Sequence, residues 1–390
     1  MYDCIIIGAG PAGLMAAVQA KGQKLLIIEK NSKPGKKLLI TGGGRCNLTN
    51  LKSNQDFLNT VNYNKKYLYS AINKFGPYDI YDYFENNGVP LKEEVDNQIF
   101  PISNKAIDVL NALLKNITAE FKYEESVIKI KNGDIKEVMT DKGRYQAKKI
   151  IIATGGVSYP ETGSSGDHLT FAKDLNQPIK DLFPAEASII LKDNPELAGT
   201  AIKKVTIKYL KQKTHGNLMF THKGLSGTAI MQMSEHIYLS DNKEIQIDLI
   251  PDLEVEEFND LMTNFDQEKQ LSSFLNTLFT KRFSEYLITK IGFNKLIKSI
   301  NQIEIKRIGD LLKNLPFIVD KVEDIHKAYV TGGGIDMNYL DTTSMESKIN
   351  PGIYFAGEAL DIHGPIGGYN ITLALSTGYL AGSHIKGDDQ

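Results

Sequence analysis

The first 29 residues decide the fold, and they read Tyr2-Asp-Cys-Ile-Ile-Ile-Gly8-Ala-Gly10-Pro-Ala-Gly13, an alanine-rich segment to position 23, and Lys24-Leu-Leu-Ile-Ile-Glu29. The apolar run before Gly8 predicts a buried parallel strand, and the alanine-rich segment predicts a helix. A second apolar run follows and ends in an acidic residue. This order, with G-x-G-x-x-G at the turn between strand and helix, predicts a Rossmann unit that binds a dinucleotide.

Each glycine of this motif has a separate physical role. Gly8 permits the tight turn, Gly10 lets the backbone approach a pyrophosphate, and Gly13 lets the helix pack closely on the strand. The start of the helix offers free N–H groups to phosphate oxygens. Glu29 is placed to accept hydrogen bonds from a ribose, and a carboxylate there disfavours a 2′-phosphate. A glycine turn in an ordinary α/β unit is the competing interpretation.

The composition is that of an ordinary globular protein. Its residues are 42% apolar and 24% charged, and its length of 390 residues is enough for two or three domains. The net charge of −2 gives no bulk attraction to nucleic acid or anionic membranes. The two cysteines, Cys4 and Cys46, have neither C-x-x-C nor metal-ligand spacing, which favours a reducing compartment and argues against a dithiol oxidoreductase. No secretion signal or membrane-spanning stretch is predicted, so we expect a cytoplasmic protein.

A second glycine-rich segment, Thr41-Gly-Gly-Gly-Arg-Cys-Asn47, follows a basic loop. Three consecutive glycines make poor regular structure, but they let a backbone come within hydrogen-bonding range of a flat ligand. Arg45 can pair with a phosphate or hold a carbonyl with its fork of donors. The pKa of Cys46 can be lowered by the neighbouring cation. A mobile surface loop and a packed, unreactive thiol are the competing interpretations.

Two later segments return to the pattern of the opening strand. Ile150 to Gly156 predicts a buried strand that brings Ala-Thr-Gly-Gly to the nucleotide crevice, and Ile349 to Phe355 predicts another that leads into Ala356-Gly-Glu358. In the helix predicted from Ile371 to Ile385, small residues recur every four positions, which predicts that this helix lies close against the sheet. The other predicted elements of this region are helices within 56–86 and 103–115 and a small antiparallel sheet within 121–147.

The composition and the pattern of apolar residues change at Pro184. Residues 197–234 carry six lysines, no acidic residue and strand-like alternation, and nine Lys or Arg against three acidic residues give 269–313 a local balance of +6. The ordinary explanation of such charge is a solvent-exposed helix face, and the more specific explanation is a surface that binds a polyanion. The predicted domains are 1–190 with 332–390, a β-rich insert of 191–251 with 317–331, and a helical insert of 252–316.

Motifs spread over nearly the whole chain point to one family. They are Thr41-Gly-Gly-Gly-Arg-Cys-Asn-Leu-Thr-Asn50, Phe100-Pro101, Ala153-Thr-Gly-Gly-Val-Ser-Tyr-Pro160, Phe220-Thr-His-Lys-Gly-Leu-Ser-Gly227, Thr331-Gly-Gly-Gly334, Met345-Glu-Ser-Lys348, Tyr354-Phe-Ala-Gly-Glu358 and Gly367-Gly-Tyr-Asn370. On these residues the chain resembles the BaiN/RdsA family of NAD(P)/FAD-dependent oxidoreductases, the aminoacetone oxidase-type flavoproteins. The resemblance implies an α/β fold, in which a two-segment Rossmann-like FAD-binding domain is interrupted by an insert with a β-rich part and an all-helical part.

The resemblance also implies FAD as the cofactor. The first motif would hold its ADP half, and the last strand and helix would hold its ribityl chain and isoalloxazine ring. The predicted cofactor-binding residues are Gly8, Ala9, Gly10, Pro11, Ala12, Gly13, Glu29, Lys30, Lys37, Thr41, Gly42, Gly43, Gly44, Arg45, Asn47, Val127, Ala153, Thr154, Gly155, Gly156, Gly357, Glu358, Gly367, Gly368, Tyr369, Asn370 and Ile371. Cys46, Asp361 and His363 are the candidates for a proton donor or for tuning the flavin.

Members of this family are associated with reducing conjugated C=C bonds in bile-acid-like enones and with making dihydrouridine in ribosomal RNA. Both reactions pass a hydride from the flavin to an activated alkene and then a proton from an acid. No second G-x-G-x-x-G unit is present in the sequence, so we expect NAD(P)H to bind transiently as the electron donor.

Three functional hypotheses follow. A small-molecule substrate is the first, RNA bound through the lysine-rich insert is the second, and a non-catalytic FAD-binding redox sensor is the third. The RNA hypothesis predicts that 203–223 and 269–313 face the same side as the flavin.

Overall fold

The structure, a computed structural model, describes residues 1–61 and 63–385. The chain forms two compact units, Met1–Phe183 together with the chain from Ile325 onward, and Pro184–Asp324. The strands are β1 (Tyr2–Ile7), β2 (Leu25–Glu29), β3 (Thr49–Asn50), β4 (Leu91–Glu93), β5 (Gln98–Pro101), β6 (Glu120–Tyr123), β7 (Val127–Lys131), β8 (Lys136–Thr140), β9 (Arg144–Ile152), β10 (Ile179–Ala185), β11 (Ile189–Leu191), β12 (Ala201–Tyr209), β13 (Gln212–Phe220), β14 (Gly224–Ser226), β15 (Glu244–Asp248), β16 (Leu315–Val322), β17 (Val330–Ile335) and β18 (Ile353–Phe355). The helices are α1 (Pro11–Gln19), α2 (Lys36–Ile40), α3 (Asn54–Val61), α4 (Tyr69–Lys74), α5 (Pro77–Asn86), α6 (Ala106–Lys115), α7 (Asp167–Asp174), α8 (Thr228–Tyr238), α9 (Val255–Thr263), α10 (Leu271–Leu278), α11 (Lys281–Ile291), α12 (Gln302–Lys313) and α13 (Tyr369–Ser383).

The main sheet of the first unit has the order β6-β2-β1-β9-β8-β7, with β18 also paired to β9. Strands β6, β2, β1, β9 and β18 pair in parallel, and Ile5 lies between Leu26 on one side and Ile150 on the other. Strands β1 and β2 and the last three residues of β9 are runs of mostly buried aliphatic residues, as expected for a parallel sheet covered on both faces. Their carboxyl ends therefore lie at one edge of the sheet, where a ligand crevice is expected.

The antiparallel part of this sheet is arranged differently from the prediction. The segment predicted as one strand, 121–131, is split into β6 and β7, which lie at opposite edges of the sheet, and Glu124 between them has a φ of +55°. Conversely, the predicted strands at 145–147 and 150–156 are joined in β9. The first half of β9 pairs antiparallel with β8, and its second half pairs in parallel with β1 and β18.

Helix α13 packs against helix α1, not against the sheet as the sequence predicted. A β-carbon on Gly378 would overlap the carbonyl oxygen of Ala12, and one on Gly382 would overlap that of Ala16. The small residues of α13 therefore allow two helix backbones to approach each other closely. The four-residue spacing identified a close neighbour, but the spacing is the same whether that neighbour is a helix or a sheet.

The smaller elements of the first unit follow the predicted pattern closely. Helices α3, α4 and α5 occupy the region predicted as helical, and the chain breaks at Gly76-Pro77 as expected. Strands β3, β5 and β4 form a separate small sheet, and β10 pairs with β17. Helix α6 begins at Ala106, three residues after the predicted start at Ser103.

The second unit contains a closed β-barrel in the order β11-β14-β13-β12-β15-β16. Helices α9 to α12 lie in the segment predicted as helical, and α8 is a helix inside the segment predicted as β-rich. The chain changes unit at 184 and 324, whereas the sequence placed the borders at 190 and 332. The later border differs because β17 pairs with β10 and not with the barrel. Within the described residues, the structure has no helix that is both long and apolar enough to cross a membrane.

Candidate cofactor and active site

A cavity in the first unit lies at the carboxyl ends of the parallel strands. Many of the residues predicted from distant parts of the sequence line it together: Gly8, Gly10, Pro11, Ala12, Glu29, Lys30, Lys37, Thr41, Val127, Ala153, Thr154, Gly155, Gly357, Glu358, Asn370 and Ile371. The lining also includes polar residues that the sequence did not single out as binding residues: Asn31, Glu125, Thr162, Ser164 and Asp167. None of them belongs to a motif, and only Thr162 and Ser164 had a sequence signal, the polar, glycine-containing character of 157–166.

The glycine turn at the start of α1 has the geometry that its motif predicts. Gly8 has a φ of +100°, and a β-carbon there would lie 2.5 Å from the carbonyl oxygen of Ala153. A β-carbon on Gly13 would overlap the Gly8 carbonyl oxygen. By contrast, no heavy atom of the described residues outside the immediate chain neighbours lies within 4 Å of a β-carbon placed on Gly10. Gly10 lines the cavity, so its open side leaves room for a ligand to approach the backbone.

Two helix N-termini meet this cavity. Helix α1 begins at Pro11, directly after Gly10, and Asn370 and Ile371 in the first turn of α13 also line the cavity. In the described part of the chain, no side chain caps either helix, so their first N–H groups are available to a ligand. Such groups, together with the helix dipole, favour phosphate oxygens and other negative charge. The open cradle at Gly10 and these two termini fit the pyrophosphate and ring of FAD.

Glu29 is fixed at the end of β2 and is buried, with 7% of its surface exposed. Its Oε2 accepts a hydrogen bond of 2.9 Å from the backbone N–H of Ala9, and its Oε1 accepts one of 2.8 Å from the backbone N–H of Asn31. The carboxylate thus ties the glycine turn to the strand and holds an oxygen beside the cavity. This position suits the ribose contact that the sequence predicts.

Lysine–carboxylate pairs lie at two places along the cavity. Lys37 Nζ is 2.6 Å from Glu358 Oε2, and Lys30 Nζ is 2.7 Å from Asp167 Oδ2. Glu358 Oε1 also accepts a hydrogen bond of 2.9 Å from the backbone N–H of Thr331. The sequence predicted Lys30, Lys37 and Glu358 as separate cofactor contacts, and the structure shows that their charges are already paired within the protein.

The remaining predicted cofactor residues do not line the cavity. They are Ala9, Gly13, Gly42, Gly43, Gly44, Arg45, Asn47, Gly156, Gly367, Gly368 and Tyr369. Arg45 Nη1 instead donates to Glu94 Oε1 at 3.0 Å, and its guanidinium lies 4.1 Å from the centre of the Phe100 ring. Asn47 Nδ2 donates to Gln98 Oε1 at 2.7 Å. The side chains of this loop therefore contact β5 and its neighbours.

Cys46 differs most clearly from its predicted character. It is fully buried with a φ of +62°, and burial raises the pKa of its thiol to about 12. The structure agrees with the interpretation of a packed, unreactive thiol and not with that of a lowered pKa, because the loss of solvent disfavours the thiolate. A neutral, enclosed thiol is neither a nucleophile nor an acid near neutral pH.

The other two candidates for a proton donor belong to one buried cluster. Tyr63 Oη donates to Asp361 Oδ1 at 2.8 Å, and Asn64 Nδ2 donates to Asp361 Oδ2 at 2.9 Å. Burial raises the pKa of Asp361, and these two hydrogen bonds oppose the rise without cancelling it. The ring of His363 lies 4.3 Å from that of Tyr63. Tyr63 and Asn64 were missed because 56–86 was predicted only as helices and neither residue belongs to a motif.

This acidic cluster is joined to the start of α13. The backbone N–H of Gly364 donates to Asn370 Oδ1 at 2.9 Å, and Asn370 Nδ2 donates to the Gly364 carbonyl oxygen at 2.7 Å. Asn370 also lines the cavity. The cluster therefore lies next to the helix N-terminus at which the isoalloxazine ring is expected.

The two-segment sheet, the glycine turn and the paired helix N-termini define the class of protein: a Rossmann-like FAD-binding fold with a barrel-containing insert. The chain belongs to the family described as "HI0933-like protein Rossmann domain", whose model matches residues 2–384. This is a family of FAD-dependent oxidoreductases.

Three comparisons place the chain more closely. It is 30% identical over 393 residues to a ribosomal RNA dihydrouridine synthase of Escherichia coli, covering 97% of this chain and 96% of that protein. It is 26% identical to a 3-dehydro-bile acid delta(4,6)-reductase of Clostridium scindens, covering 97% of each chain. Among solved structures, a 3-ketosteroid-delta4-(5alpha)-dehydrogenase of Rhodococcus jostii RHA1 has a TM-score of 0.53 at 14% identity, over 98% of this chain and 96% of that one. This last likeness concerns the fold.

Proposed function

We propose that this protein is an FAD-dependent reductase that takes electrons from NAD(P)H and reduces an activated C=C bond. In the overall reaction, NAD(P)H, a proton and the alkene become NAD(P)⁺ and the saturated product, and the two electrons travel as a hydride. The observation that carries the proposal is the cavity itself, whose lining residue Asn370 is hydrogen-bonded to Gly364, three residues after the buried Asp361. The bile acid reductase of Clostridium scindens supports an enone-like substrate.

The residues of this chain would hold the cofactor in three places. The backbone at Gly10 and the first N–H groups of α1 would face the pyrophosphate, Glu29 would accept from a ribose, and the first turn of α13 would face the ring. Bound FAD supplies the hydride chemistry, which no side chain can provide. Lys37 and Glu358 would remain as a neutral pair on the cavity wall.

A proton must also reach the substrate, and we assign its storage to the Asp361 cluster. Because burial raises the pKa of Asp361, its carboxyl keeps a proton to higher pH than an ordinary aspartate. In the proposed transfer, Asp361 is protonated and donates to the Tyr63 oxygen, so that Tyr63 gives its own proton to the substrate, takes the proton of Asp361 and leaves that carboxyl ionised. Cys46 is not proposed, because its thiol is enclosed in the core.

Anaerobic titration of the FAD-loaded protein with NADH and NADPH tests the proposal. We expect at least one donor to bleach the flavin absorbance, and a conjugated bile-acid-like enone to restore it without oxygen. If neither donor bleaches the flavin, the redox-sensor hypothesis is favoured instead.

Variants of the cluster test the assignment of the proton. For Asp361→Asn and Tyr63→Phe we expect flavin bleaching by NAD(P)H at the wild-type rate and substrate reduction slowed about 100-fold, the usual scale for loss of a general acid. Substrate reduction by the wild type should decline as pH rises through the raised pKa of Asp361, and this decline should vanish in Asp361→Asn. Equal slowing of both half-reactions would instead indicate a structural role.

RNA is the second candidate substrate. The Escherichia coli relative is named for dihydrouridine synthesis in ribosomal RNA and aligns along the whole chain, and most lysines of 203–223 are exposed. Uracil offers an activated C=C bond, so the same chemistry applies. Mass spectrometry of ribosomal RNA from a deletion strain tests this candidate, and unchanged dihydrouridine content would reject it.

A further inference from the structure

The second unit contains a groove whose lining residues come from a different part of the chain than those of the cofactor cavity. This groove has no role in the proposed reduction. It lies between the start of β12 and the connection from α10 to α11. The residues that matter for its chemistry are Thr200, Lys203, Lys204, Leu278, Phe279 and Thr280. We call this the β12 groove.

One wall of the β12 groove carries two consecutive lysines because β12 is bulged there. Ile202 pairs with Leu218 and Val205 pairs with Gly216, so β12 has one residue more than β13 over this interval. In a regular strand, neighbouring side chains point to opposite faces. The bulge disrupts that alternation, and both Lys203 and Lys204 line the groove.

The opposite wall presents an aromatic ring. Helix α10 ends at Leu278, and half-buried Phe279 follows it, with its ring 5.5 Å from that of Phe283 in an edge-to-face arrangement. Arg282, in the first turn of α11, donates to the backbone carbonyl oxygens of Ala198 and Glu196. These hydrogen bonds tie α11 to the segment before β12 and so hold the two walls together.

The groove has a positive rim and an apolar floor. Among the described residues that line it, none is acidic, and its apolar members include Leu249, Leu278 and Phe283. Lys204 is paired with Asp252, with an Nζ to Oδ1 distance of 2.5 Å, and Lys203 is exposed. A cation, several hydroxyls and an aromatic face within one groove match a phosphate that is joined to a base.

We propose that the β12 groove binds single-stranded RNA, with one base against Phe279 and an adjacent phosphate at Lys203. This inference rests on the second candidate of the proposed function and names the place where such a substrate would contact the insert. RNA is favoured over a simple anion because the groove holds an aromatic ring and an exposed lysine together. A base joined to its phosphate uses both, whereas an inorganic anion uses only the lysine.

Fluorescence anisotropy of the FAD-loaded full-length protein with a labelled single-stranded RNA of about 12 nucleotides tests the proposal. Lys203→Glu should weaken binding and make the dependence of log affinity on log salt shallower by about 0.7, the value for one lost phosphate contact on a single strand. Phe279→Ala should weaken binding about tenfold and leave that salt dependence unchanged, because stacking releases no counterions. Lys213→Glu is the matched control, since Lys213 is exposed on β13 outside the groove and carries the same charge.

Several outcomes would overturn the proposal. One is wild-type protein that does not bind the RNA, and another is Lys213→Glu that weakens binding as much as Lys203→Glu does. A third is groove variants that bind RNA normally but need more NADPH to bleach the flavin, because the occupant would then be the free dinucleotide. Flavin bleaching is measured in every protein, so a wild type that bleaches normally but does not bind the RNA rejects the groove proposal alone and leaves the reductase proposal in place.

Discussion

Two glycine-rich segments of the first unit invite comparison, the turn from Gly8 to Gly13 and the loop from Thr41 to Asn47. Both are rich in glycine, and the sequence predicted both as cofactor contacts. The first lines the cavity with its backbone, and contacts with backbone oxygens require glycine at positions 8 and 13. Apart from Thr41, the second loop is outside the cavity lining, and its side chains contact other parts of the protein.

The difference teaches that glycine content alone does not place a segment in the cavity wall, and the contact of the second loop with the cofactor stays a prediction. The first segment lies between a buried strand and a helix, so its position is fixed at the carboxyl edge of the sheet. The second follows the short helix α2 and turns with positive φ at Gly42 and Gly43. The direction of its side chains therefore depends on the residues that pack beside the turn. The local sequence does not specify which residues these are.

The largest expected effect is that of Gly13→Ala. The new β-carbon would overlap the Gly8 carbonyl oxygen, and neither backbone can move without shifting β1 or α1. We expect a loss of about 3 kcal/mol in the free energy of unfolding, near the upper end for an overpacked core, measured by denaturant titration without FAD. A loss below about 1 kcal/mol would mean that the turn is adaptable, and the contrast between the segments would then be weaker.

The Gly10→Ala variant distinguishes a loss of space for the ligand from a loss of folding stability. Because its β-carbon meets no protein atom and points into open space at the cavity, we expect little change in unfolding but FAD affinity lower by tenfold or more, about 1.4 kcal/mol, measured by flavin fluorescence. Gly43→Ala is the matched control. Gly43 also has open space around it but a φ of +68°, so alanine there should cost about 1 kcal/mol of stability and leave FAD affinity unchanged. Equal losses of FAD affinity in both variants would remove the distinction.

The sequence predicted the parts of the site that depend on short-range order. An apolar strand followed by a glycine turn and a helix can form only a few structures, so residues 1–29 defined the fold and one end of the cavity. The Ala153 and Gly357 segments were predicted correctly as neighbours because parallel strands bring their carboxyl ends together. In each case, the nearest chain neighbours determine the conformation.

The parts that were missed depend on contacts between distant residues. Tyr63 and Asp361 are 298 positions apart, and nothing in either local sequence indicates that they meet. The small residues of α13 required a close neighbour but did not identify it as α1. The burial of Cys46 likewise arises from packing around the loop, so the sequence left a reactive thiol and a packed thiol as alternatives. A tertiary contact decides each of these cases.

Thiol reactivity tests the second loop directly. With its pKa raised to about 12, the fraction of Cys46 present as thiolate at pH 8 is on the order of 10⁻⁴, and burial blocks access as well. Cys4 is also fully buried with a raised pKa. We therefore expect mass spectrometry to find no adduct after iodoacetamide treatment of the native protein and two adducts after unfolding. Rapid native labelling of Cys46, identified by peptide mapping, would show that the loop opens.

The smallest expected effect is that of Arg45→Ala. The Arg45 and Glu94 side chains are 41% and 32% exposed, so their ion pair is screened by solvent, and the contact with the Phe100 ring adds only a modest amount. We expect the free energy of unfolding to fall by less than about 1 kcal/mol, with the difference shrinking at high salt. FAD affinity should stay unchanged, because Arg45 does not line the cavity. A tenfold loss of FAD affinity in Arg45→Ala, restored in Arg45→Lys, would mean that the loop moves to meet the cofactor when it binds. The two glycine-rich segments would then differ in when they contact the ligand and not in whether they do.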